Sequence, residues 1–165
     1  MTVATRQRLK VADEAWIAAA LLQRENPDET DFSVDQIVAR ARKESITGEL
    51  RPGVYVHVVQ HCVANRAPNP GRYRMLFETG KNRRRLYRSG DSSDPARDGS
   101  KTMPEREDIP VKYQPLLEWY AAEFSSRKNV ATKIDPLLAL KGSGRKIWAD
   151  EHADEYVRRL REGWE

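Results

Sequence analysis

The stretch Arg51-Pro-Gly-Val-Tyr-Val-His-Val-Val-Gln-His-Cys-Val-Ala-Asn65 decides how the chain is read. Proline suits a first helical turn, and no further breaker comes before Ala67-Pro68-Asn69-Pro70-Gly71, so the pattern predicts a helix from Pro52 to about Asn65. Its residues sort into two faces. Val54, Tyr55, Val58, Val59, Cys62 and Val63 make an apolar side, and Gly53, His57, Gln60, His61 and Ala64 line the other. Small and hydrogen-bonding residues turned outward on the last of three helices are what a helix-turn-helix presents to a DNA groove.

Two helices precede it. Val11 to Glu25 carries Trp16, Ile17, Ala20 and Leu21 at helical spacing and stops at Asn26-Pro27-Asp28. Phe32 to Glu44 starts with a capping box, Ser33 with Gln36, and Phe32 before the cap can staple onto Ile37. Ile37, Val38 and Ala41 form its buried stripe, and Arg40, Arg42 and Lys43 sit outward near its C-terminal end. After the third helix, Arg72 to Phe77 and Arg83 to Arg88 read as strands joined by the hairpin loop Glu78 to Asn82. A β-hairpin in that position is a wing. Residues 1–90 are thus expected to form a winged helix-turn-helix in an α+β, mainly α, chain.

Ser89 to Pro110 is rich in Ser, Asp, Gly and Pro, and residues 91–110 read as a linker of little structure. Residues 111–132 follow as a helix with Tyr113, Leu116, Leu117, Tyr120 and Phe124 on one side, for packing on the winged domain or for a homodimer contact. Residues 133–165 are a thin, charged tail with scattered apolar residues. It either folds on a partner or packs back on the domain.

Charge suggests the first partner. Between Arg51 and Gly90 lie nine Lys or Arg and a single acid, Glu78, whereas the whole chain carries only +4. Such a cluster points to a polyanion, because each phosphate contact releases a counterion. Double-stranded DNA is the expected ligand. His57, Gln60, His61 and Asn65 are its candidate base readers, and Arg66, Arg72, Arg74, Lys81, Arg83, Arg84, Arg85 and Arg88 its candidate phosphate contacts.

Other chemistry is excluded or unsupported. One cysteine, Cys62, rules out an internal disulfide and sits among apolar neighbours as a core residue would. No run approaches a membrane span, and the polar stretch Met1 to Lys10 lacks the apolar core of a signal peptide, so a reduced, cytoplasmic protein is expected. His57 and His61 share the i, i+4 spacing of a zinc pair but have no third ligand. Gly142-Ser143-Gly144-Arg145-Lys146 lacks the spacing of a phosphate-binding loop. No metal, cofactor or catalytic residue is assigned, and an enzyme is not expected.

Two resemblances add to this reading. Residues 51–65 with the hairpin 72–88 look like a bacterial family of winged-helix proteins of poorly known role. The C-terminal stretch Leu140-Lys-Gly-Ser-Gly-Arg-Lys-Ile-Trp-Ala-Asp150, followed by Asp154-Glu-Tyr-Val-Arg-Arg-Leu-Arg-Glu-Gly-Trp164, is similar to the toxin-binding tails of VapB-type antitoxins. That resemblance implies an antitoxin of a type II toxin-antitoxin system whose tail wraps a PIN-domain ribonuclease. Leu137, Leu140, Ile147, Trp148, Tyr156, Leu160 and Trp164 would be the apolar anchors. Arg158, Arg159 or Arg161 would enter the toxin's acidic, metal-holding site. The usual antitoxin DNA-binding end is absent, and a winged helix would replace it. Two other readings share the winged helix: a transcriptional regulator without a toxin, and a DNA-targeting accessory of a defence or restriction system.

Overall fold

Val11–Glu25 forms α1 with the bounds its periodicity predicts. It is the central helix. Ala12, Ala15, Ala18, Ala19 and Ala20 are buried, and these small side chains let other elements approach its backbone on several sides. Trp16 is fully buried and meets the Tyr120 ring edge-on at 5.5 Å. A computed structural model of the chain describes residues 9–127 together with Arg158 and Arg161.

The second helix, α2 (Val34–Glu44), starts on the expected capping box. The Gln36 amide donates to Ser33 Oγ at 3.1 Å, and the Ser33 amide donates to Gln36 Oε1 at 2.8 Å. Phe32 and Ile37 are both buried, as a staple requires. Phe32–Ser33 also forms a two-residue strand, β1, which the sequence reading did not separate from the helix start. So short a strand carries no periodic signal; its existence depends on a partner fifty residues away.

That partner belongs to the hairpin of β2 (Leu76–Gly80) and β3 (Arg83–Leu86). The sheet is antiparallel in the order β1-β3-β2, with Phe32 opposite Arg84 and Leu76 opposite Leu86. β2 begins four residues later than the sequence suggests. The Arg74 amide pairs instead with the Lys101 carbonyl at 2.8 Å, and the Met75 and Leu76 amides both donate to the Cys62 carbonyl. The turn between the strands is only Lys81-Asn82, with Asn82 left-handed at φ 56°. The Val34 amide donates to the Asn82 carbonyl at 2.9 Å, so the hairpin tip lies against the start of α2.

Between α2 and the hairpin runs α3, regular over Gly53–Val56 and widened to a π turn over His57–His61. The Cys62 amide reaches back five residues to the His57 carbonyl at 2.9 Å. The helix ends at His61, earlier than predicted, because Val63 leaves it to bridge Leu76.

The reading of residues 91–110 as a linker is overturned. Asp91, Arg97 and Ile109 are buried, and two 3-10 turns, Pro95–Arg97 and Arg106–Asp108, wrap the segment onto the domain. A further turn, Val111–Tyr113, leads into α4, which is regular over Gln114–Trp119 and a π turn over Tyr120–Phe124. Leu116, Leu117, Tyr120 and Phe124 join the same core as α1. The proposed pieces 1–90, 91–110 and 111–132 therefore merge, and the chain divides instead at Lys128 and Asn129. In the second unit Arg158 and Arg161 are helical and exposed. Leu137, Leu140, Ile147, Trp148, Tyr156, Arg159, Leu160 and Trp164 lie outside the described residues.

One acid in the core makes the domain sensitive to pH. Asp13 is fully buried and neither carboxylate oxygen has a hydrogen-bond partner. Burial pushes its carboxyl up to about 6. The folded state therefore keeps a proton that the unfolded chain releases, so stability falls as pH rises from about 4 through 6. Asp13→Asn is expected to flatten that decline and to raise stability at pH 7 by about 1–2 kcal/mol. Urea unfolding at pH 4.5 and 7 measures both effects, and an unchanged pH dependence would refute them.

Candidate nucleic-acid interface

Most of the basic cluster is turned inward. Arg84 and Arg97 are almost completely buried. Arg84 donates to the carbonyls of Val58 and Val59 at 3.2 and 3.3 Å. Arg97 donates to those of Gln60 and His61, each at 2.8 Å. Four consecutive carbonyls at the C-terminal end of α3 thus accept from two buried guanidinium groups. A helix end leaves such carbonyls unpaired and carries partial negative charge, and here the two arginines satisfy both needs. Arg97 takes the carbonyls of Arg66 at 2.6 Å and Tyr73 at 2.7 Å as well.

The neighbouring cations are also engaged. Arg85 forms a bidentate pair with buried Asp91 at 2.6 and 2.8 Å and lies over the Phe77 ring. Arg83 pairs with Asp31, and Arg51 with Glu14 at 2.7 Å. Arg66 grips Glu78 through two bonds, which hold that carboxyl below its ordinary range. Arg74 bonds the Ser100 carbonyl, and Arg88 stacks over Phe124 at 4.5 Å. Of the eight proposed phosphate contacts, Arg72 and Lys81 are exposed and have no ion pair among the described residues; Arg84 and Arg85 are structural. On α2, Arg42 and Lys43 are likewise exposed and form no ion pair there.

The proposed base readers fare similarly. His57 is half-buried and its Nδ1 lies 2.8 Å from the Gly53 carbonyl. Burial holds its imidazole below the ordinary value, which favours the neutral ring. Its ring meets His61 edge-on, and His57 lines a cavity with Leu9, Val11, Arg51 and Tyr73. His61 is pressed by Gly71, where an added Cβ would stand 2.7 Å from the His61 Cβ. Gln60 spends its amide on the Ala67 carbonyl at 2.6 Å. Asn65 clasps the backbone of Glu78 through both its carbonyl and its amide.

The faces of α3 are rotated from those expected. Val54, Val58 and Cys62 are the buried centre, with the histidines on one flank. Ala64, assigned to the outward side, is fully buried. Tyr55 and Val56, with Tyr55 assigned to the core, are 54% and 43% exposed and share a side with Pro52. These are the residues sequence reasoning missed. Their signal was the single step in Val54-Tyr55-Val56 where three apolar residues in a row cannot all face inward on a helix. Cys62 is buried as expected, and burial pushes its thiol pKa up, which makes it inert.

Among the described residues, no three His, Cys, Asp or Glu side chains come together as a metal site. No described helix is long and apolar enough to cross a membrane. Compared with protein-family models, curated proteins and solved structures, the chain matches none.

Proposed function

We propose that the first unit is a winged-helix domain that binds double-stranded DNA, and that the whole chain is an antitoxin which represses its own promoter and neutralises a PIN-type ribonuclease. The observation that carries the first part is the order of elements. Helix, strand, helix, helix and hairpin follow one another, and β1 closes the sheet as β1-β3-β2. This is the arrangement in which a third helix meets a groove beside a hairpin. The exposed cations Arg42 and Lys43 on α2, Arg72 after α3, and Lys81 at the hairpin tip supply phosphate contacts.

This set is smaller than the sequence cluster, and the difference is measurable. Four contacts give a slope of log K against log salt of about −3 to −4, whereas all nine basic residues of the cluster would give about −8. Fluorescence anisotropy with a labelled duplex tests this. Lys81→Ala is expected to reduce the slope by about one. A slope near −8, or no binding to any duplex at low salt, would refute this interface.

The antitoxin part rests on the resemblance of residues 140–164 and on the division of the chain at Lys128. Arg158 and Arg161 stand three residues apart on a helix and are both exposed, so one face presents two guanidinium groups to an acidic site. A pull-down from the native host compares the full chain with a version ending at Thr132. A small ribonuclease with an acidic site should be retained by the full chain alone. Recovery of the same proteins by both baits would remove the toxin and leave a winged-helix regulator.

A further inference from the structure

We propose that α3 reads thymine, through contact of Tyr55 and Val56 with the C5-methyl groups in the major groove. The proposal rests on the DNA-binding reading above. Base edges are read in a few ways: Arg or Lys on guanine, Asn or Gln on adenine, carboxylates on cytosine, and apolar groups on the thymine methyl. Along α3 and its exit most of the hydrogen-bonding readers are already occupied, and His61, whose Nδ1 is buried without a hydrogen-bond partner, is packed against Gly71. Gln60 is held by the Ala67 carbonyl, His57 by Gly53, Asn65 by the Glu78 backbone and Arg66 by the Glu78 carboxylate. No carboxylate lies between Arg51 and Phe77.

The most exposed positions of α3 are apolar. Tyr55 and Val56 are two of four large hydrophobic residues exposed among those described. They lie on one side of the helix with Pro52, next to half-buried Val59. Two side chains are far too little for a stable protein interface, which needs about 800 Å² from each partner. They suit a narrow contact inside a larger electrostatic footprint, with the Tyr55 hydroxyl free to meet a phosphate. Helix α2, which packs against α3, carries the exposed Arg42 and Lys43, cations complementary to a polyanion.

The test uses the full chain and four duplexes of about two helical turns each. They are alternating d(A-T), the same with uracil for thymine, alternating d(G-C), and the same with 5-methylcytosine. Removal of the methyl group is expected to weaken binding at least about five-fold without changing the salt slope. Adding it to cytosine should recover affinity. Val56→Ala and Tyr55→Ala, both at exposed positions, should abolish the difference between thymine and uracil. Equal binding of the d(A-T) and d(A-U) duplexes with normal salt dependence would overturn the thymine inference and leave the DNA reading standing. So would variants that weaken all four duplexes alike, because the face would then touch only the backbone. Failure to bind any of the four at low salt would overturn the DNA reading itself.

Discussion

Arg97→Ala is expected to destabilise the domain by about 3–5 kcal/mol, close to the whole stability of a small domain. The side chain is fully buried and forms no ion pair with a carboxylate among the described residues; it is held by the carbonyls of Gln60, His61, Arg66 and Tyr73. Each buried carbonyl left without a donor costs about 1–3 kcal/mol, and water entering the space recovers only part of that. Arg97→Met separates packing from hydrogen bonding. If the guanidinium fills space, methionine should be much milder than alanine. If it satisfies carbonyls, methionine should be as damaging or worse, because it keeps water out and donates nothing. We expect the second order. Arg97→Lys should fall between wild type and Met, since an ammonium has three donors and cannot span four carbonyls. Urea unfolding followed by Trp fluorescence gives the ranking, and a methionine variant near wild type would refute the carbonyl account.

The local signals in the sequence were legible and the distant ones were not. The bounds of α1, the Ser33–Gln36 capping box and the hairpin around Lys81-Asn82 depend on neighbours within a few residues. Their chemistry can be read directly. The fate of the arginines depends on partners far away: Asp31 for Arg83, Glu14 for Arg51, the carbonyls of Val58 and Val59 for Arg84. A run of basic residues looks the same whether it meets phosphate or the end of a buried helix. The segment 89–110 misled for a related reason. Its Ser, Asp, Gly and Pro are turn formers, and turns can be nailed to a core by one buried arginine and one isoleucine, as Arg97 and Ile109 do here. The outward side of α3 was legible only in part: periodicity indicates a helix, but three apolar residues in a row, Val54 to Val56, do not say which of them faces inward, and the π turn at His57–His61 is set by no local signal.

This redistribution changes what charge can say about function. Seven of the nine cations in the cluster have partners within the domain, so the case for DNA moves from the total charge to the fold and to four exposed side chains. It also separates two kinds of arginine mutant that sequence alone would treat alike. Substitution of Arg72 or Lys81 should act on binding and leave stability within about 0.5 kcal/mol of wild type. Substitution of Arg84, Arg85 or Arg97 should act on stability and leave the salt slope of the folded protein unchanged.

Asp91→Ala is the strongest case of the second kind, with an expected loss of about 3–5 kcal/mol. The Asp91 carboxylate is buried and receives Arg85 on both oxygens, at 2.6 and 2.8 Å, and the Arg88 amide at 2.7 Å. Its own carbonyl accepts from the Tyr87 hydroxyl, while the Tyr87 carbonyl accepts from Tyr120 at 2.6 Å, so the pair ties β3 to α4. Removing the carboxylate strips a buried guanidinium of its bidentate counterion beside the Phe77 ring. Asp91→Asn keeps an acceptor for the Arg88 amide and should cost less, about 2–3 kcal/mol. Removing both charges, as Arg85→Met with Asp91→Leu, should recover much of the loss, because more of the penalty comes from the separated charge than from the missing bond. That double variant also decides the role of Arg85. If Arg85 contacts phosphate, the recovered protein should bind duplex with a salt slope lower by about one. If Arg85 only braces the domain, as its burial against Asp91 requires, the recovered protein should bind with the wild-type slope, and anisotropy across a salt series distinguishes the two.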